Sequence, residues 1–191
     1  MAENDVSVRD ATLKDAGRIL EIYAYYVEKT AITFEYEVPS LEDFKSRMKK
    51  TMEKYPYLVI EKDGKIEGYA YAGAFNTRAA YDWASEMTIY LSHDARKCGL
   101  GRKLYEELEF QLKKMGILNL YACIGYPKED DEHLTKNSAE FHSHLGYKLA
   151  GTFHNCGYKF QKWYDMIWME KIIGDHKENM SAIVNYNKLK S

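Results

Sequence analysis

One stretch of the sequence concentrates residue types that can do chemistry. Glu86-Met87-Thr88-Ile89-Tyr90-Leu91 reads as a strand, and Arg96-Lys97-Cys98-Gly99-Leu100-Gly101 follows it closely. Two glycines one residue apart then open a periodic helix, with Leu100, Leu104, Leu108 and Leu112 on one stripe. Glycine lets a ligand come close to the backbone, and the unpaired N–H groups of a first helical turn attract an anion. Arg96, Lys97, Arg102 and Lys103 add positive charge, so the segment reads as a cradle for a pyrophosphate. It is not a dinucleotide fingerprint, because the residue three past Gly101 is Leu104. Nor is it a P-loop, because Gly101 is followed by Arg102-Lys103-Leu104. A glycine turn needed only for strand-to-helix packing is the alternative. Glu86 itself, among Tyr81, Trp83 and Tyr90, is a carboxylate whose pKa desolvation would raise.

The surrounding elements follow from periodicity and turn chemistry. Val6 and Val8 mark a first strand, and Thr12 with Asp15 resembles a capping box before Ala16, Ile19, Leu20, Tyr23 and Val27. A loop holding Pro39 comes next, and Ser40 with Asp43 opens a second helix through about Lys54. Tyr57 to Glu61, the turn Asp63-Gly64, and Ile66 to Phe75 predict a hairpin, followed by a strand over Ser85–Leu91. After the Leu stripe come a strand over Ile117–Gly125, a polar connection, and a short helix over Ser138–Leu145. Two last strands cover Lys148–Asn155 and Lys162–Lys171. The order β-α-α-β-β-β-α-β-α-β-β predicts an α/β domain with a mixed central sheet flanked by helices. The domain is expected over residues 1–173, with a polar C-terminal tail over 174–191.

Composition limits the partners. The chain has 191 residues with 27 Lys plus Arg against 29 Asp plus Glu, a net charge of −2, so no basic excess exists to hold nucleic acid. No run of 18 apolar residues predicts a membrane span. The cysteines, Cys98, Cys123 and Cys156, are odd in number and lack CxxC spacing, which fits free thiols in a reducing compartment. With no apolar leader at the N-terminus, a cytoplasmic protein is expected. No metal is expected: His142 and His144 do not share a helix face, His154 and Cys156 are two ligands only, and Glu129–Glu132 lacks a calcium-loop pattern.

R-x-x-G-x-G behind a strand and before a long helix resembles the acetyl-CoA loop of GNAT-type N-acetyltransferases. RAAYDWASEMTIYLSHDARKCGLGRKLYEEL, FHSHLGYKLAGTF and CGYKFQKWYDMIWMEK are similar to successive blocks of the phosphinothricin acetyltransferase subgroup, collinear from about residue 6 to 171. The resemblance implies the GNAT fold, acetyl-CoA as cosubstrate, and a small primary amine as acceptor, of the phosphinothricin or methionine sulfone and sulfoximine type. It implies cofactor contacts over Ile89, Tyr90, Leu91, Arg96, Lys97, Cys98, Gly99, Leu100, Gly101 and Arg102, and at Ser138. A backbone N–H at the end of Ile89–Leu91 would serve as oxyanion donor.

Glu86 matches the subgroup's general base, with a solvent-facing strand carboxylate as the alternative. His142 is expected as proton donor to sulfur or assistant base, or else as a residue lining its helix. Arg78 would clamp an acidic acceptor, unless it is an ordinary loop arginine, and Tyr81 and Phe34 would line the acceptor pocket. The family expectation is a homodimer. One departure stands out: Ser138 fits an N-x-x-S pattern, but Thr135 occupies the asparagine position and the 127–135 loop is long. Other readings are acetylation of a polyamine or aminoglycoside, or a CoA-binding sensor without turnover.

Overall fold

Local signals set most element borders. Thr12 and Asp15 form a reciprocal capping box on a 3-10 turn, and the Ser40 hydroxyl accepts the Asp43 N–H at 3.1 Å to start the second helix. The computed structural model describes residues 5–95 and 99–190. Its elements are β1 (Val6–Asp10), α1 (Ala16–Lys29), α2 (Leu41–Met52), β2 (Tyr57–Lys62), β3 (Lys65–Ala74) and β4 (Ala84–Leu91). They continue as α3 (Leu100–Met115), β5 (Asn119–Tyr126), α4 (Asn137–His144), β6 (Lys148–Lys159) and β7 (Lys162–Ile172), the order expected.

The seven strands lie in the order β1-β2-β3-β4-β5-β7-β6. Every neighbouring pair is antiparallel except β4 and β5, which α3 joins as a crossover. That one parallel pairing is short: Ala84, Ser85 and Glu86 face Asn119, Leu120 and Tyr121, and then the strands part. Both stay extended because β3 pairs β4 as far as Leu91 and β7 pairs β5 as far as Tyr126.

Two apolar layers cover the sheet. Leu104, Leu108 and Leu112 of α3 are fully buried with Leu58, Ile60, Ala122 and Met87. Ile19, Tyr23, Met48 and Phe44 pack with Tyr57, Val59 and Tyr69 on the other face. Strand alternation sends Met87 into the α3 layer, so Glu86 faces the α1 side.

Two borders differ from the sequence reading. β6 runs on to Lys159, past Asn155 at φ 49° and a register shift between Phe153 and Gly157. That asparagine, of a type that tolerates positive φ, marks a bulge and not a strand end. The polar segment after Gly174 is docked on the domain and not trailing from it. Val184 N–H donates to Met115 O at 2.8 Å, and buried Tyr186 donates its hydroxyl to Asp10 at 2.9 Å. A single buried aromatic among polar residues leaves little hydropathy signal, which is why composition reads as a tail. No helix among the described residues is long and apolar enough to cross a membrane.

Candidate active site

Where β4 and β5 part, a cavity of about 470 Å³ opens. Met87–Tyr90 and Ala122–Gly125 form its two walls, Ser138 and His142 of α4 and Ile32–Phe34 border it, and Glu86 stands where the pairing stops. Backbone direction on β4 can be read from its β3 bonds. Phe75 N–H donates to Ala84 O and Ser92 N–H to Glu67 O, so the even-numbered residues of β4 bond to β3. Met87, Ile89 and Leu91 therefore turn their N–H and C=O into the gap. Leu91 is already taken: its N–H donates to the Tyr26 hydroxyl at 3.3 Å, and its C=O accepts from that hydroxyl at 2.6 Å. Of the expected contacts, Ile89 keeps backbone groups for a ligand, Leu91 does not, and Tyr90 spends its own on β3. Met87, which sequence reasoning did not single out, joins Ile89. An amide-bearing chain entering the gap would pair there as an added strand.

The N-terminus of α3 borders a separate hollow past the end of β4, lined by Leu91, Gly99, Gly101, Arg102 and Phe141. Gly99 caps it at φ 75°, a left-handed conformation that favours glycine. The first intrahelical bond runs from Lys103 N–H to Gly99 O, so the amides of Leu100, Gly101 and Arg102 have no acceptor inside the helix. Leu100 buries its side chain in the core and has only its backbone to offer. A Cβ at Gly101 would stand 3.1 Å from Leu91 Cδ1 and 3.3 Å from Phe141 Cε2, so its absence lets the helix end seat against β4 and α4. Arg102 is exposed and pairs with Glu106 at 3.3 Å. Arg96, Lys97 and Cys98 lie outside the described residues. Free helical amides for phosphates and free strand amides for an amide chain together fit acetyl-CoA.

Glu86 is half-buried, no hydrogen bond reaches its carboxylate among the described residues, and burial raises its pKa. Cys123 is exposed at the cavity wall, and partial desolvation first, and Glu86 second, push its thiol up to about 12. His142 is only 3% exposed. Its Nδ1–H donates to Ser138 O at 2.7 Å, which leaves Nε2 to accept from the Tyr105 hydroxyl at 3.0 Å. Burial lowers its pKa to about 4, against the weaker opposing effect of the Ser138 bond. At neutral pH it is a neutral ring with both nitrogens engaged, which is not the arrangement of an acid waiting to protonate sulfur.

A stability consequence follows. The unfolded chain binds this proton below about pH 6.5 and the folded chain only below about 4. The contribution is thus complete above pH 6.5 and falls by about 3 kcal/mol as pH drops to 4. Urea unfolding at pH 7 and pH 4 is expected to show His142→Gln losing about 3 kcal/mol less than wild type over that interval. Equal losses would show that His142 does not titrate with unfolding.

The acceptor residues divide. Phe34 lines the cavity, and its ring lies on Gly157, where a Cβ would be 2.4 Å away. Tyr81 lines a different hollow at the start of β4. Arg78 precedes a short exposed 3-10 turn, and the structure does not bring it to the cavity. The loop carrying Phe34 is held by a residue that sequence reasoning missed. Lys159, buried to 3% exposure, donates to Val27 O, Thr30 O and Thr33 O at 2.7, 2.8 and 2.9 Å.

Comparison with known proteins decides the family. The family model described as "Acetyltransferase (GNAT) domain" matches residues 8–168. The chain belongs to the GNAT acetyltransferases. It is 34% identical, over 84% of each chain, to a phosphinothricin N-acetyltransferase of Streptomyces viridochromogenes. It is 26% identical to an L-methionine sulfoximine/L-methionine sulfone acetyltransferase of Salmonella typhimurium, over 90% of this chain and 96% of that one. A crystal structure of a GNAT superfamily phosphinothricin acetyltransferase from Sinorhizobium meliloti, in complex with AcCoA, aligns with TM-score 0.83 and 31% identity. It covers 95% of this chain and 98% of that one.

In this GNAT chain the missed positioning residues share one trait. Lys159, Tyr26 and Tyr105 act on groups far away in sequence, so no local pattern marks them; a lysine in the aromatic run Gly157–Phe160 was the one visible anomaly. Among the described residues no three His, Cys, Asp or Glu side chains gather as a metal-holding group.

Proposed function

We propose that the protein transfers the acetyl group of acetyl-CoA to the primary amine of a small amino-acid-like acceptor, by direct attack in a ternary complex. The observation that carries this is the parting of β4 and β5 directly after Glu86, which sets one desolvated carboxylate at the base of a gap lined with unpaired backbone. Acetyl-CoA supplies an acyl carbon already activated as a thioester.

Glu86 takes a proton from the acceptor's ammonium, freeing the nitrogen lone pair for attack. Met87 and Ile89 backbone groups hold the pantetheine chain, and the Ile89 N–H donates to the thioester oxygen as charge develops on it. The α3 amides of Leu100, Gly101 and Arg102, with the exposed Arg102 side chain beside them, serve the phosphate end, and Ser138 stands beside the gap. A thiol's ordinary pKa of about 8.5 makes sulfur an acceptable leaving group without an acid. We therefore assign His142 to positioning: it ties Tyr105 to the Ser138 carbonyl. Relatives that acetylate phosphinothricin or methionine sulfone support the acceptor class.

One observation favours a second reading. Glu86 is the charged residue among the cavity's described walls, with no Lys or Arg there, which suits an acceptor bearing a second ammonium such as a polyamine. For assembly, exposed Leu149, Phe153, Tyr158 and Trp163 on β6 and β7 support a homodimer contact on that hairpin. Free Cys123 and Cys156 suit a reducing cytoplasm.

The test is acetyl-CoA-dependent thiol release with methionine sulfone, methionine sulfoximine, phosphinothricin, ordinary amino acids, spermidine and an aminoglycoside. Turnover on the amino-acid analogues is expected. Turnover on spermidine alone would move the assignment to the polyamine reading, and acetyl-CoA binding with no turnover would point to a sensor.

A further inference from the structure

A second hollow, of about 270 Å³, lies at the start of β4 and β5. Tyr81, Trp83, Asn119, Tyr121, His176 and Lys177 are among its walls. Tyr121 links it to the chemistry. It is the β5 residue paired with Glu86 in the parallel register, so the two side chains leave the sheet on the same face. Phe75 stacks on the Tyr121 ring at 4.3 Å and holds it in place.

His176 and Lys177 come from the docked segment after Gly174, beyond the residues 8–168 that the family model matches. That segment is tied to the hollow at two points: Trp83 Nε1–H donates to Ser181 O at 3.0 Å, and His176 Nε2–H donates to Asn119 Oδ1 at 2.7 Å. Asn119 then donates through Nδ2 to the Tyr121 hydroxyl oxygen at 3.3 Å. The chain of bonds is directional. Tyr121 accepts from Asn119, and its own hydroxyl proton has no acceptor among the described residues. Lys177 is exposed and likewise makes no ion pair or hydrogen bond among them. Two donors without acceptors, over aromatic walls, suit a ligand group made of oxygen acceptors.

We propose that this hollow is the subsite for the oxygen-bearing end of the acceptor's side chain. The Tyr121 hydroxyl and the Lys177 ammonium donate to a sulfonyl, phosphinyl or carboxylate group there while the acceptor's amine meets Glu86. The inference rests on the amino-acid-like acceptor proposed above and deepens it: the docked C-terminal segment, and not Arg78, supplies the cation that reads the acceptor's far end. Tyr121 and Lys177 are specificity residues, and His176 and Asn119 orient the tyrosine.

The test uses the full chain with Tyr121→Phe, Lys177→Met and Lys177→Arg, and compares methionine sulfone with norleucine, which lacks the side-chain oxygens. Tyr121→Phe and Lys177→Met are each expected to raise KM for the sulfone about tenfold with little change in kcat, as loss of a hydrogen bond involving a charged or strongly polar group does. The preference for sulfone over norleucine in kcat/KM should fall by the same factor, and Lys177→Arg should keep most of it. A purely structural role would lower kcat or affect both acceptors alike, and an unchanged preference overturns the subsite while leaving the activity standing.

Calorimetric titration of methionine sulfone in the presence of CoA separates the two readings. Should wild type acetylate neither acceptor, sulfone binding weakened by Lys177→Met would uphold the subsite without the activity. Absent binding, or binding equal in wild type and variant, would overturn it.

Discussion

Glu86→Gln is expected to lower kcat by about 10²–10⁴-fold, the range that a positioned general base contributes. The substitution keeps the side chain's size and removes its basicity. Glu86 has no hydrogen-bond partner among the described residues, so the amide orphans no donor in the fold, and the pairing that precedes the gap does not depend on the side chain. Acetyl-CoA affinity should stay within about twofold of wild type, because the backbone of Met87 and Ile89 and the α3 amides are untouched.

The pH dependence gives a second readout. Burial raises the Glu86 pKa, and a base works only when deprotonated, so kcat/KM should rise with pH through a value above that of an ordinary carboxylate. That acidic limb should vanish in Glu86→Gln. No further limb is expected from His142 between pH 6 and 9, since its pKa is held near 4. A folded Glu86→Gln protein with wild-type turnover would remove the residue from the mechanism.

Lys159→Met should produce the largest loss of stability, about 3–5 kcal/mol, because it leaves three carbonyls in or near the core without their donor. The ammonium has three protons and three carbonyls take them, at Val27, Thr30 and Thr33. Val27 lies in the last turn of α1, where carbonyls lack helical partners and a cation opposes the negative end of the dipole. Methionine fills the volume but leaves these acceptors buried and unpaired. For a domain of this size the loss corresponds to a fall in Tm of about 6–20 °C. Thermal unfolding followed by circular dichroism checks it, and a Tm within about 2 °C of wild type would contradict the network's role. Because Thr33 and Phe34 border the reaction cavity, acceptor KM should rise in the same variant, with acetyl-CoA KM affected less.

The element order, the capping pairs at Thr12 and Ser40, the Leu stripe of α3 and the placement of Glu86 on a strand before a glycine-opened helix were legible in the amino-acid sequence. Each depends on residues within one or two turns of one another, and side-chain period and cap chemistry are local properties. The blocks around Glu86 and His142 were enough to place the chain with the GNAT acetyltransferases. What the tertiary structure decided is which groups remain free. β4 and β5 stay extended after they part because β3, the strand just before β4, and β7, well beyond β5 in sequence, hold their outer edges, and Tyr26 closes Leu91 from 65 residues away. His142 is neutral because packing buries it against Tyr105, which its own sequence neighbours do not show. Lys159 reaches carbonyls 126 to 132 residues earlier, and the segment after Gly174 finds Asn119 and Trp83 only once the sheet exists. A hydrogen bond depends on position in space, whereas a sequence pattern reports only spacing along the chain.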